Sequence, residues 1–175
     1  SGVVIEDHQQ NPMIAVEHLK GRILLHRCSG KGIAFGEVIA DSAQVILRKY
    51  DDGKSTNISV WSRGFKKKDK KKKEFSIVFD RIVLKNSLLL IANDKRCKHY
   101  PDNRMDFAKF EMKNLNLDAD DFAVVGADIS CKINALTYEQ YTGFAVREMY
   151  GNFRINNNGL TLDNAVIKTD YSNID

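Results

Sequence analysis

Two short pairs of histidine and cysteine are the residues of this sequence best suited to bind a metal ion. They are His26 with Cys28, and Cys97 with His99. Residues i and i+2 of a β-strand share a face, so each pair offers two ligands, and together they would form a tetrahedral Cys2His2 shell. The spacing matches no known zinc module, and both pairs lie in basic surroundings near turns. We therefore interpret them as surface histidines with partly buried cysteines, and expect no metal and no cofactor.

Three carboxylates are the nearest thing to an acid–base site. Asp118, Asp120 and Asp121 follow an amphipathic strand and flank a predicted turn, which favours a solvated acidic turn over catalysis. The sequence contains no Gly-x-Ser-x-Gly elbow, no phosphate-binding loop and no dinucleotide fingerprint. We therefore predict that the protein is not an enzyme and has no catalytic residues.

Lysine is concentrated in residues 66–74, which hold seven lysines, one aspartate and one glutamate, a net charge of +5. Because the whole chain has a net charge of +4, the remaining residues sum to −1. The run lies between two predicted strands, so we expect a mobile, solvated hairpin loop. A second interpretation is contact with anionic lipid headgroups. The lysines concerned are Lys66, Lys67, Lys68, Lys70, Lys71, Lys72 and Lys73. Since no aromatic residues interleave with them, we predict no nucleic-acid binding.

Length and composition indicate one folded domain. The 175 residues are 43% apolar and 29% charged, which is enough apolar material for a core and argues against global disorder. The longest uninterrupted apolar stretch, residues 88–92, is far shorter than the roughly 18 residues of a membrane-spanning helix. Ser1 and Gly2 resemble a cloning scar, and the chain stops abruptly at Asp175. We predict a single β-rich domain over residues 1–175, as a fragment of a longer chain.

Alternating apolar and polar residues predict a mostly β protein. At least seven segments follow this period of two, and Phe75, Ile77 and Phe79 share one face in one of them. Ile82 and Leu84 continue that pattern after a one-residue shift near Asp80, which indicates a β-bulge.

Other segments complete this assignment. Residues 33–47 and 58–61 are further predicted strands, and the asparagine-rich residues 156–159 predict a hairpin turn. Residues 12–19 and 136–141 each predict one or two helical turns. The fold class is therefore a mostly antiparallel β-sheet with at most short helices.

An internal repeat supports the β assignment. The pattern F-x-[RK]-[IF]-x-[LM]-K-N occurs at residues 79–86 and again at residues 107–114. Residues 160–167 echo its second half, with Asn164 at the position of the shared asparagine. The physical interpretation is a strand, an asparagine that allows a bend or bulge, and a second strand.

Two interpretations of the apolar strand faces are open. They form the core of a closed sandwich or barrel, or they form the inner face of a curled sheet that is only partly covered. A trough of the second kind would accept acyl chains, because burying each methylene contributes about 0.8 kcal/mol.

An ordered series of degenerate motifs covers most of residues 14–174. It runs through IAFGEVIADSAQVILR (33–48), Asp52-Gly-Lys, Asn57-Ile58, FDRIVLKNSLLLIAND (79–94), Met105-Asp-Phe107, Lys113-Asn-Leu-Asn-Leu117, LTYEQYTGF (136–144), GNF (151–153), LTLDNAVIKT (160–169) and SNI (172–174). In this order the motifs resemble the AsmA-like/TamB superfamily of Gram-negative envelope proteins.

That resemblance implies an open, taco-like or half-barrel sheet with an apolar groove. It further implies a periplasmic location, with the full-length protein anchored in the inner membrane, and a part in lipid transfer or outer-membrane protein assembly. The partners would be phospholipids or other acyl chains, and an outer-membrane barrel protein of the TamA/BamA type. The family has no catalytic residue to carry over.

We therefore expect a non-enzymatic envelope segment with a lipid groove. The residues expected to line it are Phe75, Ile77, Phe79, Ile82, Leu84, Phe110, Met112, Leu115 and Leu117. The alternative is a closed β-sandwich interaction or carbohydrate-binding module. It would use the aromatic side chains of Trp61, Tyr138 and Tyr141 on a flat face.

Overall fold

Nine strands and one short α-helix make up the part of the chain that the computed structural model describes, residues 2–28, 32–51, 55–63, 76–98, 104–125, 128–156 and 159–174. A single turn of 3-10 helix spans Leu25–Arg27. The helix α1 is Asn57–Arg63, and the strands are β1 (Val3–Glu6), β2 (Pro12–Ile23), β3 (Gly32–Lys49), β4 (Ser76–Asn93), β5 (Lys109–Val125), β6 (Asp128–Glu139), β7 (Ala145–Asn156), β8 (Gly159–Thr169) and β9 (Asn173–Ile174).

All nine strands belong to one sheet in which each strand pairs with its neighbours in the sequence. The spatial order is β1 to β9 without interruption, so β1 and β9 lie at opposite edges and the sheet is not closed into a barrel. Seven of the eight neighbouring pairs are antiparallel, and only β3 and β4 are parallel. The prediction of a mostly β, open sheet with at most short helices is confirmed.

The parallel pair requires a crossover, and α1 lies within it. Thr56 precedes the helix, and its carbonyl accepts the first helical hydrogen bond from the Val60 amide at 3.1 Å. The buried Asn57 then ties the helix to β3, because its side chain accepts from the Arg48 amide at 3.0 Å and donates to the Ile46 carbonyl at 2.8 Å. The prediction of a strand over residues 58–61 is therefore wrong, since Asn57 satisfies backbone groups of β3 that would otherwise lack partners.

The connection that contains the lysine run is also not a hairpin. A hairpin joins antiparallel strands, whereas β3 and β4 are parallel. Residues 66–74 themselves, and with them the predicted mobile loop and its lysines, lie outside the described residues.

Three other local predictions are corrected. Residues 12–19 belong to β2 and residues 136–139 to β6, so neither segment is helical, because cross-strand pairing outweighs a weak helical pattern. Asp118, Asp120 and Asp121 lie within β5 and not at a turn. The predicted hairpin at residues 156–159 is confirmed, since Asn156 pairs with Gly159 across β7 and β8.

The sheet forms a single layer. Within the described ranges, substantial contacts between elements join only neighbouring strands, α1 with β3, and the 3-10 turn with β3. Of the thirteen buried apolar residues in the described chain, six are alanines and none is aromatic. Most large apolar side chains are therefore shielded by lateral neighbours and not by a facing layer.

Candidate functional site

Apolar side chains form seven rows that run across the sheet from strand to strand. Residues paired directly across neighbouring strands point to the same face, so each row lies on one face. In order along β3, the rows are Ile33, Ile77, Val124, Ile129, Ile155 and Leu160; Phe35, Phe79 and Phe122; Val38, Ile82, Ala119 and Ile133; Leu19, Ala40, Leu84, Leu117 and Leu136; Val16 and Ala43, continued by Ser87 and Leu115; Ile14, Val45, Leu89 and Met112; and Leu47, Ile91 and Phe110.

Residues in a left-handed backbone conformation occur where successive rows are three residues apart instead of two. On β5 these steps contain Asn114 and Asp121, with φ of 49° and 52°. On β3 and β4 one three-residue step, between the rows of Leu84 and Ser87, contains Ser42 and Asn86, with φ of 54° and 46°. One such inserted residue reverses the side-chain alternation, so the rows on either side of it face the same way.

Packing demonstrates this reversal at Ser42 and Asn86. Ala40 and Ala43, on either side of Ser42, belong to one buried cluster with Val16, and Leu84 packs against the same cluster. Had the alternation continued, Ala40 and Ala43 would lie on opposite faces of the sheet. The buried Ser87 also accepts a hydrogen bond from the Ala43 amide at 3.2 Å, which fixes the level of β4 beside β3.

The backbone irregularity that the sequence predicts near Asp80 on β4 lies on the neighbouring strand β5, opposite Asp80. The register of β4 with β3 stays constant through this region, although Asp80 itself has no paired residue on β3 or β5. The left-handed residue is Asp121 on β5, where the register with β6 shifts between Asp120 and Ala123. We infer from this insertion that the rows of Phe79 and Ile82 share a face. The face that carries the seven rows is called the apolar face below.

Aromatic rings pack together within the apolar face. Phe79 stacks on Phe35 at 4.8 Å between ring centroids and meets Phe122 edge-on at 5.8 Å. At the other end of β5, Phe110 meets Tyr138 at 6.2 Å. Burial raises the pKa of the Tyr138 hydroxyl, as expected beside such rings.

No second layer covers the apolar face in the described part of the chain. The two elements outside the sheet, α1 and the 3-10 turn, make their substantial contacts with β3, so the rows on β4 to β8 have no element above them. Ile33 remains 38% exposed, Ile91 44% and Leu160 56%. A contiguous apolar surface of this kind is typical of a binding site.

The opposite face carries charged pairs. Arg81 aligns with Glu37 on β3 and Asp120 on β5. Its guanidinium donates to both carboxylate oxygens of Asp118, at 3.0 and 2.6 Å, and to Glu37 at 3.3 Å. The hydrogen bond from Arg81 lowers the pKa of Asp118, despite the opposing effect of partial burial. Asp118 thus belongs to a hydrated ion-pair surface, and Asp120 beside it accepts from the Asn134 side chain at 2.8 Å.

Eight of the nine predicted groove residues lie in rows of the apolar face. Leu115 is 4% exposed and the others are half-buried. These eight are Ile77, Phe79, Ile82, Leu84, Phe110, Met112, Leu115 and Leu117. Phe75 lies outside the described residues, and lipid binding by all nine stays a prediction.

The sequence prediction missed the extension of the rows across the rest of the sheet. Ile33 on β3, Ile129 on β6 and Ile155 on β7 continue the row of Ile77. Their strands carry the alternating signal, but joining them into one row requires the strand order and register, which are not local properties of the sequence.

The two cysteines of the candidate metal pairs have separate hydrogen-bond partners. The thiol of Cys28 lies 3.4 Å from the Leu24 carbonyl, whereas that of Cys97 donates to Asp106 at 3.4 Å. His99 lies outside the described residues, and within the described ranges no three or more His, Cys, Asp or Glu side chains are grouped as a metal site would require.

The aromatic residues of the sandwich alternative do not share a flat face. Trp61 lies on α1, Tyr138 packs between Phe110 and Phe144, and Tyr141 lies in the turn after β6. The described residues form one sheet layer and not two, which does not match a closed β-sandwich.

Comparison of the chain with protein-family models, with curated proteins and with solved structures found no match. The helices in the described ranges are too short or too polar to cross a bilayer.

Proposed function

We propose that the protein is a non-enzymatic lipid-binding segment whose apolar face shields acyl chains from water. The observation that carries the proposal is the set of seven apolar rows on a sheet without a second layer. A monomeric soluble protein rarely exposes so continuous an apolar surface unless something binds there.

The dimensions of the sheet suit an acyl chain. The longest apolar row crosses six strands, β3 to β8, and five steps of about 4.8 Å make it about 24 Å long. An acyl chain that buries about a dozen methylenes against such a row gains about 10 kcal/mol, before the cost of ordering the chain. Because the side chains of the rows are aliphatic or aromatic apart from the buried Ser87, we expect selection for the acyl part of a lipid and little selection for its headgroup.

The difference between the two faces of the sheet favours an open sheet, and not a closed fold in which the apolar face is buried in a core. The ion pairs of Arg81 with Asp118 and Glu37 keep part of one face hydrated, while the rows on the opposite face consist of apolar side chains except for the buried Ser87. A sheet whose two faces differ in this way needs shielding from water on one face only, and we propose that lipid provides it.

The cellular setting belongs to the same proposal and is supported only by the resemblance of the ordered motifs. In that setting the chain is a periplasmic piece of an AsmA-like/TamB protein anchored in the inner membrane. It assists lipid transfer or outer-membrane protein assembly together with a barrel protein of the TamA/BamA type.

Leu89 and Leu90 provide a matched test, because they are consecutive, half-buried and on opposite faces. Leu89 pairs with Val45 and Met112 within an apolar row, whereas Leu90 pairs with Ile46 and Glu111. We expect lipid to co-purify with the unmodified chain and with Leu90→Gln, and to be strongly reduced with Leu89→Gln. Native mass spectrometry and lipid extraction would measure it, with circular dichroism to establish that both variants fold.

The proposal fails if the unmodified chain carries no acyl lipid after mild purification and takes up none from vesicles. It fails equally if both variants retain the same amount of lipid, since the apolar row would then not be the binding surface.

A further inference from the structure

Exposed aromatic residues gather at one end of the sheet. Phe107, just before β5, is 82% exposed, and Tyr171, in the turn after β8, is 86% exposed. Tyr141, in the turn after β6, is 41% exposed. All three connections lie at the same end, because β5 begins there while β6 and β8 end there. We call the segments 94–98 and 104–109, which surround Phe107, the tip.

Hydrogen bonds hold Phe107 in this exposed position. The buried carboxylate of Asp106 accepts from the Lys98 amide at 2.8 Å and from the Ala108 amide at 2.8 Å, so it joins the two sides of the tip. The Tyr141 hydroxyl donates to the Arg104 carbonyl at 3.0 Å. Since the residues on both sides of Phe107 are tied down, its ring does not fold back onto the protein.

The tip is basic as well as aromatic. Five cationic side chains there are exposed: Lys95, Arg96, Lys98, Arg104 and Lys109. With Asp94 and Asp106 as the two acidic residues, the net charge of the tip is 5 − 2 = +3, and the intervening Asp102 brings the continuous sequence 94–109 to +2. A presented aromatic ring among cations suits an anionic surface with an apolar interior.

The apolar face ends beside the tip. Phe110 in the last apolar row lies three residues from Phe107. It packs against Tyr138, which in turn packs against Phe144 at 6.4 Å. The last apolar row and the exposed ring of Phe107 therefore lie at the same end of β5, with Ala108 and Lys109 between them.

We propose that the tip docks on the surface of an anionic phospholipid membrane and inserts Phe107 among the headgroups. The role given to this contact, bringing the end of the apolar face to a lipid source, rests on the proposed function. The charge of the tip selects the anionic surface, and the ring supplies the second, apolar signal that stable membrane attachment needs. An acidic protein would satisfy the cations but would leave the exposed ring without an apolar environment.

Site-resolved fluorescence quenching tests this docking. Because residues 66–74 supply a second basic segment, vesicle binding alone does not identify the tip. We would place tryptophan at the tip with Phe107→Trp, in a chain whose own tryptophan is removed by Trp61→Phe. The vesicles contain phosphatidylcholine with brominated acyl chains, with or without phosphatidylserine. The control is Leu25→Trp in the same background, since Leu25 is 78% exposed at the opposite end of the sheet.

We expect vesicles with phosphatidylserine to quench the tryptophan at position 107 and to leave that at position 25 unquenched. We also expect Phe107→Ala to weaken vesicle binding by about tenfold, and each cation of the tip replaced by glutamine to weaken it by about fivefold. Equal quenching at both positions, or none at either, would overturn the proposal. An acidic protein as the true partner would give the second of these results.

Two variants distinguish a failure of this inference from a failure of the proposed function. Leu89→Gln should lose co-purifying lipid yet keep the quenching at position 107, whereas Phe107→Ala should keep its co-purifying lipid. Quenching at position 107 in a chain that carries no lipid would leave the membrane contact standing and remove the lipid-binding role.

Discussion

Asn86 offers a direct test of the idea that left-handed residues keep the apolar rows on one face. Its φ is 46°, its side chain is exposed, and its amide donates to the Asn116 side chain at 3.1 Å. A left-handed backbone costs residues other than glycine about 1–2 kcal/mol, asparagine less than most, and a β-branched residue more. Asn86→Val should therefore lower the free energy of unfolding by about 2 kcal/mol, which corresponds to about 4–8 °C in Tm, whereas Asn86→Gly should leave it unchanged or raise it.

Urea unfolding followed by circular dichroism would measure these differences. The matched control is Lys85→Val, because Lys85 is the neighbouring exposed residue of β4 and its φ is not positive. Valine suits an ordinary strand position, so this substitution should cost little. The reasoning is refuted if Asn86→Val and Lys85→Val have the same midpoint, or if Asn86→Gly is as destabilising as Asn86→Val.

Three further predictions follow from the geometry. Gly151→Ala should lower the free energy of unfolding by about 2 kcal/mol or more, because φ is 142° and an added Cβ would lie 2.7 Å from that of Ala165; an unchanged Tm would contradict this. Arg81→Ala should change the Tm only slightly, since the Arg81 side chain of the ion pair with Asp118 is exposed, and about 1 M salt should abolish the difference from the unmodified chain. The hydrogen bonds from the amides on either side of the tip lower the pKa of Asp106 below 3.8. The stabilisation that these bonds provide is therefore present above pH 3.8 and is lost as the pH falls through the lowered pKa. Amide hydrogen exchange at the tip should accelerate over that pH range, and unchanged protection would contradict the prediction.

The repeated asparagine is the feature that the sequence predicted best. Its three occurrences, Asn86, Asn114 and Asn164, all have positive φ, between 46° and 51°. Local chemistry suffices here, because asparagine tolerates the left-handed region and a strand that resumes after it needs one inserted residue. At the hairpin of β7 and β8, Gly159 has a φ of 142°, which glycine adopts without the cost that other residues incur.

The parallel pairing of β3 with β4 was not predictable in the same way. Alternation identifies a strand and its apolar face but contains no information on the direction of its partner. A strand at residues 58–61 would allow antiparallel pairing of consecutive strands throughout. The segment is instead helical, and Asn57 binds the backbone of β3. Such a contact depends on two segments that are distant until the chain folds, so only the tertiary structure could reveal it.

Photocrosslinking of a bound fatty acid tests the central claim most directly, because it reports which face of the sheet touches the acyl chain. The purified chain would be loaded with a fatty acid that carries a diazirine along its tail, irradiated, and mapped by mass spectrometry along β4. The account predicts adducts at Ile82, Leu84 and Leu89 and none at Val83 or Leu90. Adducts on Val83 and Leu90, or an even distribution over both faces, would contradict it.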